Sequence, residues 1–138
     1  DVVVTWEDQN TGSSNFARIL DLNMQGTAGI DYLQGTGFAE TITGGAGADI
    51  ITGGLGFDRF VYGVGHSTAA ATDTVTDFTN NEDRFDVTAL GIGGGFASLA
   101  ISYDGVNNRT VIDHAGSGFR LWLTGNHTAT LDGADFLF

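Results

Sequence analysis

Four carboxylates stand at a strict nine-residue spacing, Asp31, Glu40, Asp49 and Asp58, and each closes a glycine-rich run that opens at Gly26, Gly35, Gly44 or Gly53. Glycine frees the backbone for φ > 0, so a turn of this kind can aim several carbonyl oxygens at one point beside the carboxylate. Such a ring of oxygens is a site for a hard cation.

The residues between the turns must hold these carboxylates in place. Positions seven to nine of each unit read as a three-residue strand whose middle side chain points inward, which makes Leu33, Ile42, Ile51 and Phe60 the core. One unit is then half a coil of a solenoid, and turns two units apart stack on the same edge. The opposing reading, a flexible Gly/Asp linker, does not place a large apolar residue at the eighth position of every unit. Four inward residues are a small core for so much ordered backbone, and stacked carboxylates repel, so an ion has to be part of such a fold.

Against the pattern G-G-x-G-x-D-x-U-x, with U a large apolar residue, the third and fourth units match at every specified position. The first has Thr27 at its second position. The second departs further, with Thr36, Phe38 and Glu40. The run resembles the RTX family of calcium-binding repeats, and the resemblance implies an all-β fold, a short parallel β-roll with Ca2+ between its stacked turns, capped by antiparallel β-structure. In related rolls the leading turn gives carbonyls from positions two and four plus its acid, and the trailing turn gives carbonyls from positions one and three plus its acid. Carried over, one site takes Thr27, Gly29, Asp31, Gly44, Ala46 and Asp49, and the other takes Thr36, Phe38, Glu40, Gly53, Leu55 and Asp58. The second is expected to be the weaker, because Phe38 occupies a position suited to φ > 0 and Glu40 is one methylene too long. A third site beside Gly45, Gly47 and Asp49 is expected to be completed from beyond the repeats, with Asp77 the favoured donor.

Around the expected roll of residues 26–61 lie an N-terminal stretch, 1–25, and a C-terminal stretch, 62–138. In the first, residues 2–6 and 16–22 read as strands, a hairpin cap or the tail of an upstream domain, with Trp6, Phe16 and Leu22 placed to cover the apolar end of the first coil. In the second, residues 73–78 and 82–90 resemble the D-T-I-T-D-F…D-x-I-D-L segment that follows the last repeat in serralysin-type proteases and in alginate epimerase R-modules. That likeness implies that Asp73 or Asp77 closes the last calcium sites, while Glu82 and Asp83 read as solvated turn carboxylates. Residues 69–78 alternate as a strand, and residues 96–103, 109–113 and 118–123 read as antiparallel strands joined by turns. The final residues, Asp135 to Phe138, resemble the acid-plus-apolar ends of proteins exported by bacterial type I secretion systems, and they also suit a last β-strand.

Several functions are disfavoured by the same residues. The stretch Gly65 to Ala69 comes within one residue of a G-x-S-x-G nucleophile elbow, yet it lacks the last glycine and the helix that must follow, so Ser67 is not read as catalytic. His66, His114 and His127 lack the spacing of a zinc site. Seventeen acids against five arginines, with no lysine, give a net charge of −12, which repels nucleic acid and anionic membranes. No cysteine is present, and no apolar run is long enough to span a bilayer. The chain therefore reads as the C-terminal module of a larger secreted bacterial protein, not itself an enzyme, that folds on calcium outside the cell and meets the type I secretion machinery on the way. The rival reading is a module that binds a polysaccharide or a cell surface, for which a stripe of Arg18, Arg59 and Arg120 on one face would be the mark.

Overall fold

The protein's structure, a computed structural model, describes residues 22–138. The strands expected at 2–6 and 16–21, the capping role of Trp6, Phe16 and the Leu22 side chain, and Arg18 lie outside the described residues.

Five short strands carry the repeats: β1 (Leu22–Gln25), β2 (Tyr32–Gln34), β3 (Glu40–Thr43), β4 (Ile50–Thr52) and β5 (Arg59–Val61). Successive strands fall alternately into two parallel sheets, β1-β3-β5 in one and β2-β4 in the other, so each coil takes two units. Register follows from the repeat: Leu33 lies beside Ile51 and Ile42 beside Phe60, one coil of 18 residues apart. Ile42, Ile51 and Phe60 are fully buried between the sheets, while Leu33, at the open end, is half-buried.

The sheets run on past the repeats. β6 (Asp73–Val75) pairs with β4, and β7 (Arg84–Asp86) pairs with β5, at offsets of 24 and 25 residues because longer loops replace the six-residue turns. An antiparallel meander of β8 (Ala100–Asp104), β9 (Arg109–His114) and β10 (Phe119–Thr124) then joins the β2-β4-β6 sheet, with β10 parallel to β6. The last strand, β11 (Phe136–Leu137), adds to β7 and completes the other sheet. The architecture is all-β, a parallel roll extended by an antiparallel meander, and no α-helix occurs among the described residues.

Two strand expectations are corrected. Gly95–Ser98 forms a 3-10 turn, entered through Gly94 and Gly95 at φ 92° and 58°, so the strand read from residue 96 begins only at Ala100. In 69–78 only Asp73–Val75 is strand. Thr68 and Thr72 divert the backbone ahead of it, the Thr72 hydroxyl donating to Thr68 O at 2.6 Å. The far end of the core is aromatic: Phe85 packs on Phe60, Phe78 and Phe136 with ring centroids 4.8–5.6 Å apart. Contacts of this geometry add about 0.5–1.5 kcal/mol per pair beyond area burial.

Candidate metal sites

Each acid of the repeat ends its turn, and its backbone N–H reaches the acid one coil further on. On the first edge Asp31 N–H donates to Asp49 Oδ1 at 2.9 Å and Asp49 N–H to Asp73 Oδ1 at 3.0 Å. On the second edge Glu40 N–H donates to Asp58 Oδ1 at 2.9 Å and Asp58 N–H to Asp83 Oδ1 at 3.1 Å. Two carboxylate ladders result, Asp31-Asp49-Asp73 and Glu40-Asp58-Asp83, and at each rung a backbone donor holds one oxygen while the second is left for another partner.

Backbone carbonyls fill the gap between stacked turns. A Cβ added to Gly45 would lie 2.0 Å from Thr27 O, one on Gly47 2.4 Å from Gly29 O, and one on Gly26 2.0 Å from Gly44 O. The second edge repeats the arrangement, with Gly54 facing Thr36 O, Gly56 facing Phe38 O and Gly35 facing Gly53 O at 1.9–2.4 Å. Ala46 and Leu55 enter the same gaps, their N–H groups donating to Thr27 O at 3.2 Å and to Thr36 O at 3.0 Å. Glycine at positions two and four is thus demanded by the turn stacked in front, and Gly45, Gly47, Gly54 and Gly56 all take positive φ.

The leading turns obey a different rule. Phe38 does not adopt positive φ, so the strain expected of it is absent. Instead Thr36 closes its turn: its N–H donates to Glu40 Oε2 at 3.2 Å, its hydroxyl donates to Glu40 Oε1, and Phe38 N–H donates back to that hydroxyl at 3.3 Å. Thr27 clasps Asp31 in the same way, with N–H and hydroxyl both donating to Oδ2, at 2.6 and 2.9 Å. The extra methylene of Glu40 is absorbed by this fold-back, and the residue is buried.

Asp49 Oδ2, Asp58 Oδ2 and Asp73 Oδ2 are buried with no hydrogen-bond partner, an expensive state for a carboxylate without a counter-charge. Burial is the main cause pushing these acids above the ordinary carboxylate range, Asp58 to about 6, with the charges of Asp83 and Glu40 adding, and Asp73 to about 7, with Asp49 adding. Asp49 and Asp83 shift the same way. A divalent cation removes both penalties. No group of three or more His, Cys, Asp or Glu side chains that could hold a metal forms among the described residues, so the ligands beyond the carboxylates have to be other oxygens, the carbonyls of the gap first among them. Paired carboxylates with carbonyl oxygens are the donor set of Ca2+, not of zinc or a soft metal. The residues present fit the ion on both edges.

A model of the RTX calcium-binding nonapeptide repeat matches in four copies across residues 25–60. The chain carries RTX calcium-binding repeats. It is similar to mannuronan C5-epimerase AlgE3 of Azotobacter vinelandii, with 37% identity over 82 residues, 53% of this chain and 4% of that protein. The match thus spans a small part of the epimerase's length. Its fold is similar to the solution structure of the AlgE6R2 subunit of the A. vinelandii epimerase, with a TM-score of 0.60, 29% identity, and coverage of 88% of this chain and 93% of that subunit. The crystal structure of the extracellular lipase LipA from Serratia marcescens shares the fold at 19% identity and a TM-score of 0.56 over 84% of this chain and 20% of the lipase. Residues 25–60 are accordingly a run of RTX repeats, and calcium is the ion these repeats bind.

Beyond the RTX repeats the structure moves several residues from their expected places. Asp77 is not on the Asp49 edge: its carboxylate accepts from Gly53 N–H at 2.9 Å and Gly54 N–H at 2.7 Å, on the second edge, and Asp73 is the acid that stacks on Asp49. The loop after Val61 inserts extra residues, which shifts the half-coil count. Asp83, read as solvated, is buried, and it accepts from Thr79 N–H as well as from Asp58. Its signal in the sequence was weak, since no glycine run precedes it. The arginine stripe does not form, because Arg59 lies on the β1-β3-β5-β7-β11 sheet and Arg120 on the other. Ser67 donates to Arg120 O and accepts from Asp73 N–H, a structural tie. The histidines serve their own loops, as His66 Nδ1 accepting from Gly63 N–H shows.

Proposed function

We propose that this chain is a calcium-gated folding module of an exported bacterial protein. The observation that carries the reading is the set of partnerless buried oxygens of Asp49, Asp58 and Asp73 on stacked turns. Without calcium the carboxylates repel and their burial is unfavourable, so the chain stays open enough to thread a secretion channel. Outside the cell calcium neutralises the ladders and folding follows. Residues 26–61 supply most of the ions' ligands, with Asp73 and Asp83 continuing the ladders, and residues 62–138 cap the roll. The segment Asp135 to Phe138 serves as the type I export signal, and its middle residues form β11. Circular dichroism tests the gating: disorder through the roll in chelator and β-structure at millimolar calcium are expected, the range in which extracellular calcium modules bind. An identical spectrum and melting temperature in both conditions refutes it.

A second reading has its own observation. Arg59 and Arg84 sit side by side on neighbouring strands and, with Phe57, Asn81, Leu137 and the acids Asp58 and Glu82, line an open groove of about 360 Å³. Asp86 pairs with Arg59, and Arg84 makes no salt bridge among the described residues. An apolar ring beside a free guanidinium suits a carboxylated sugar, and the relatives are named for action on mannuronan. Binding of uronate oligosaccharides that is lost in Arg84→Ala supports this reading, and binding unaffected by that change removes it.

A further inference from the structure

On the first edge the ladder continues where the repeats do not. The nonapeptide period ends at Val61, and residues 62–72 stand in place of the next stacked turn. This loop is pinned by Ser67, whose hydroxyl accepts from Asp73 N–H at 2.8 Å, and by a bridge between Thr68 and Phe119. Tyr62, its first residue, turns inward, and its ring lies 5.3 Å from that of Phe119. Strand β10, which carries Phe119, runs beside Asp73 through the Leu121 pairing.

Three oxygens at this closed end have no partner: Asp49 Oδ2, Asp73 Oδ2 and the Tyr62 hydroxyl, on residues that are 0%, 0% and 1% exposed. A buried phenol ordinarily donates to the first acceptor it can reach. Here it donates to neither carboxylate, although its ring packs on Phe119 of the strand that pairs with Asp73, and all three oxygens are buried and without a partner. Oxygens around a shared calcium behave this way, each aimed at the ion rather than at one another.

We propose that the loop 62–72 closes a calcium site whose ligands include Asp49 Oδ2, Asp73 Oδ2 and the Tyr62 hydroxyl. The inference rests on the calcium reading above and adds to it a ligand outside the nonapeptides. A tyrosine hydroxyl enters as a neutral oxygen, so the two carboxylates balance the ion's charge. On this proposal the third site expected from the sequence lies on the Asp49 edge, with Asp73 and Tyr62 as its closing groups in place of Asp77.

Calorimetric calcium titration of the full chain tests this on wild type, Tyr62→Phe, Asp73→Asn and Asp31→Asn. Tyr62→Phe keeps the ring against Phe119 and removes one oxygen. It should weaken one ion about tenfold or more and lower the melting temperature in saturating calcium, Asp73→Asn should lose that same ion, and Asp31→Asn should retain it. If the hydroxyl is only an unsatisfied group, Tyr62→Phe relieves a buried polar atom and leaves the binding isotherm unchanged with an equal or higher melting temperature. That result overturns the proposal while leaving calcium-gated folding intact. A wild type that binds no calcium overturns both.

Discussion

Gly29 and Gly47 occupy the same position, the fourth, of the first and third nonapeptides, yet the structure assigns opposite consequences to replacing them with alanine. At Gly47 φ is +134°, a region that side chains with a Cβ rarely enter, and the new Cβ would stand 2.4 Å from Gly29 O and 3.0 Å from Asp49 Oδ1. Backbone strain of this kind costs about 1–3 kcal/mol and forced overpacking about as much again. The sum is a large share of the roughly 5–15 kcal/mol that stabilises a small domain. At Gly29 φ lies outside the left-handed region, and among the described residues the nearest heavy atom to the added Cβ is 3.8 Å away. Alanine there should be neutral or stabilise by about 0.4–1 kcal/mol, through lost freedom of the unfolded chain. Urea unfolding in saturating calcium measures both. Gly47→Ala should lower the midpoint strongly or leave the roll unfolded, with the slope of the Gly29→Ala transition unchanged from wild type. Equal damage from the two substitutions would refute the argument that stacking, rather than the repeat pattern itself, demands the glycine.

The pH dependence should invert with calcium. Asp58 and Asp73 have folded-state pKa values raised to about 6 and about 7 from 3.8, mainly by burial, so the stability they contribute is full below pH 3.8 and is lost as pH rises through the raised values. In chelator, β-structure followed by circular dichroism should therefore increase as pH falls from 7.5 to 5; in calcium it should not, because protons then compete with the ion. Asp49→Ala should remove more calcium in titration than Glu40→Ala, since Asp49 stands between Asp31 and Asp73 in its ladder whereas Glu40 begins its ladder with its carboxylate already held by Thr36. The reverse order contradicts that placement. At the C-terminus, Phe136 is buried against Phe85, so Phe136→Ala should cost about 3–5 kcal/mol in a melt, while exposed Phe138 separates folding from export. Phe138→Ser should leave calcium binding intact and reduce secretion by a matched transporter; undiminished secretion removes the tail's signalling role.

Much of the molecule was legible in the chain itself, because a repeat turns local chemistry into global geometry. Nine-residue spacing with an apolar eighth position determined the two parallel sheets, the stacking of turns two units apart, and the buried line of Ile42, Ile51 and Phe60. The repeat acids of the candidate ion sites stand at the same period. Where the period stopped, so did the inference. After Val61 the half-coil count depends on how many residues a loop spends before the next strand, and nothing local records it. Only the folded structure put Asp73 on Asp49 and Asp77 beside Gly53, and buried Asp83 at the end of a ladder. It also decided which departures from the pattern matter. Thr27, Thr36 and Phe38 look like defects when each unit is compared with an ideal one, but the glycine requirement comes from the turn stacked in front, and among the described residues only the third and fourth units face one. That constraint is a contact between residues a full coil apart, and it exists only once the coils are wound.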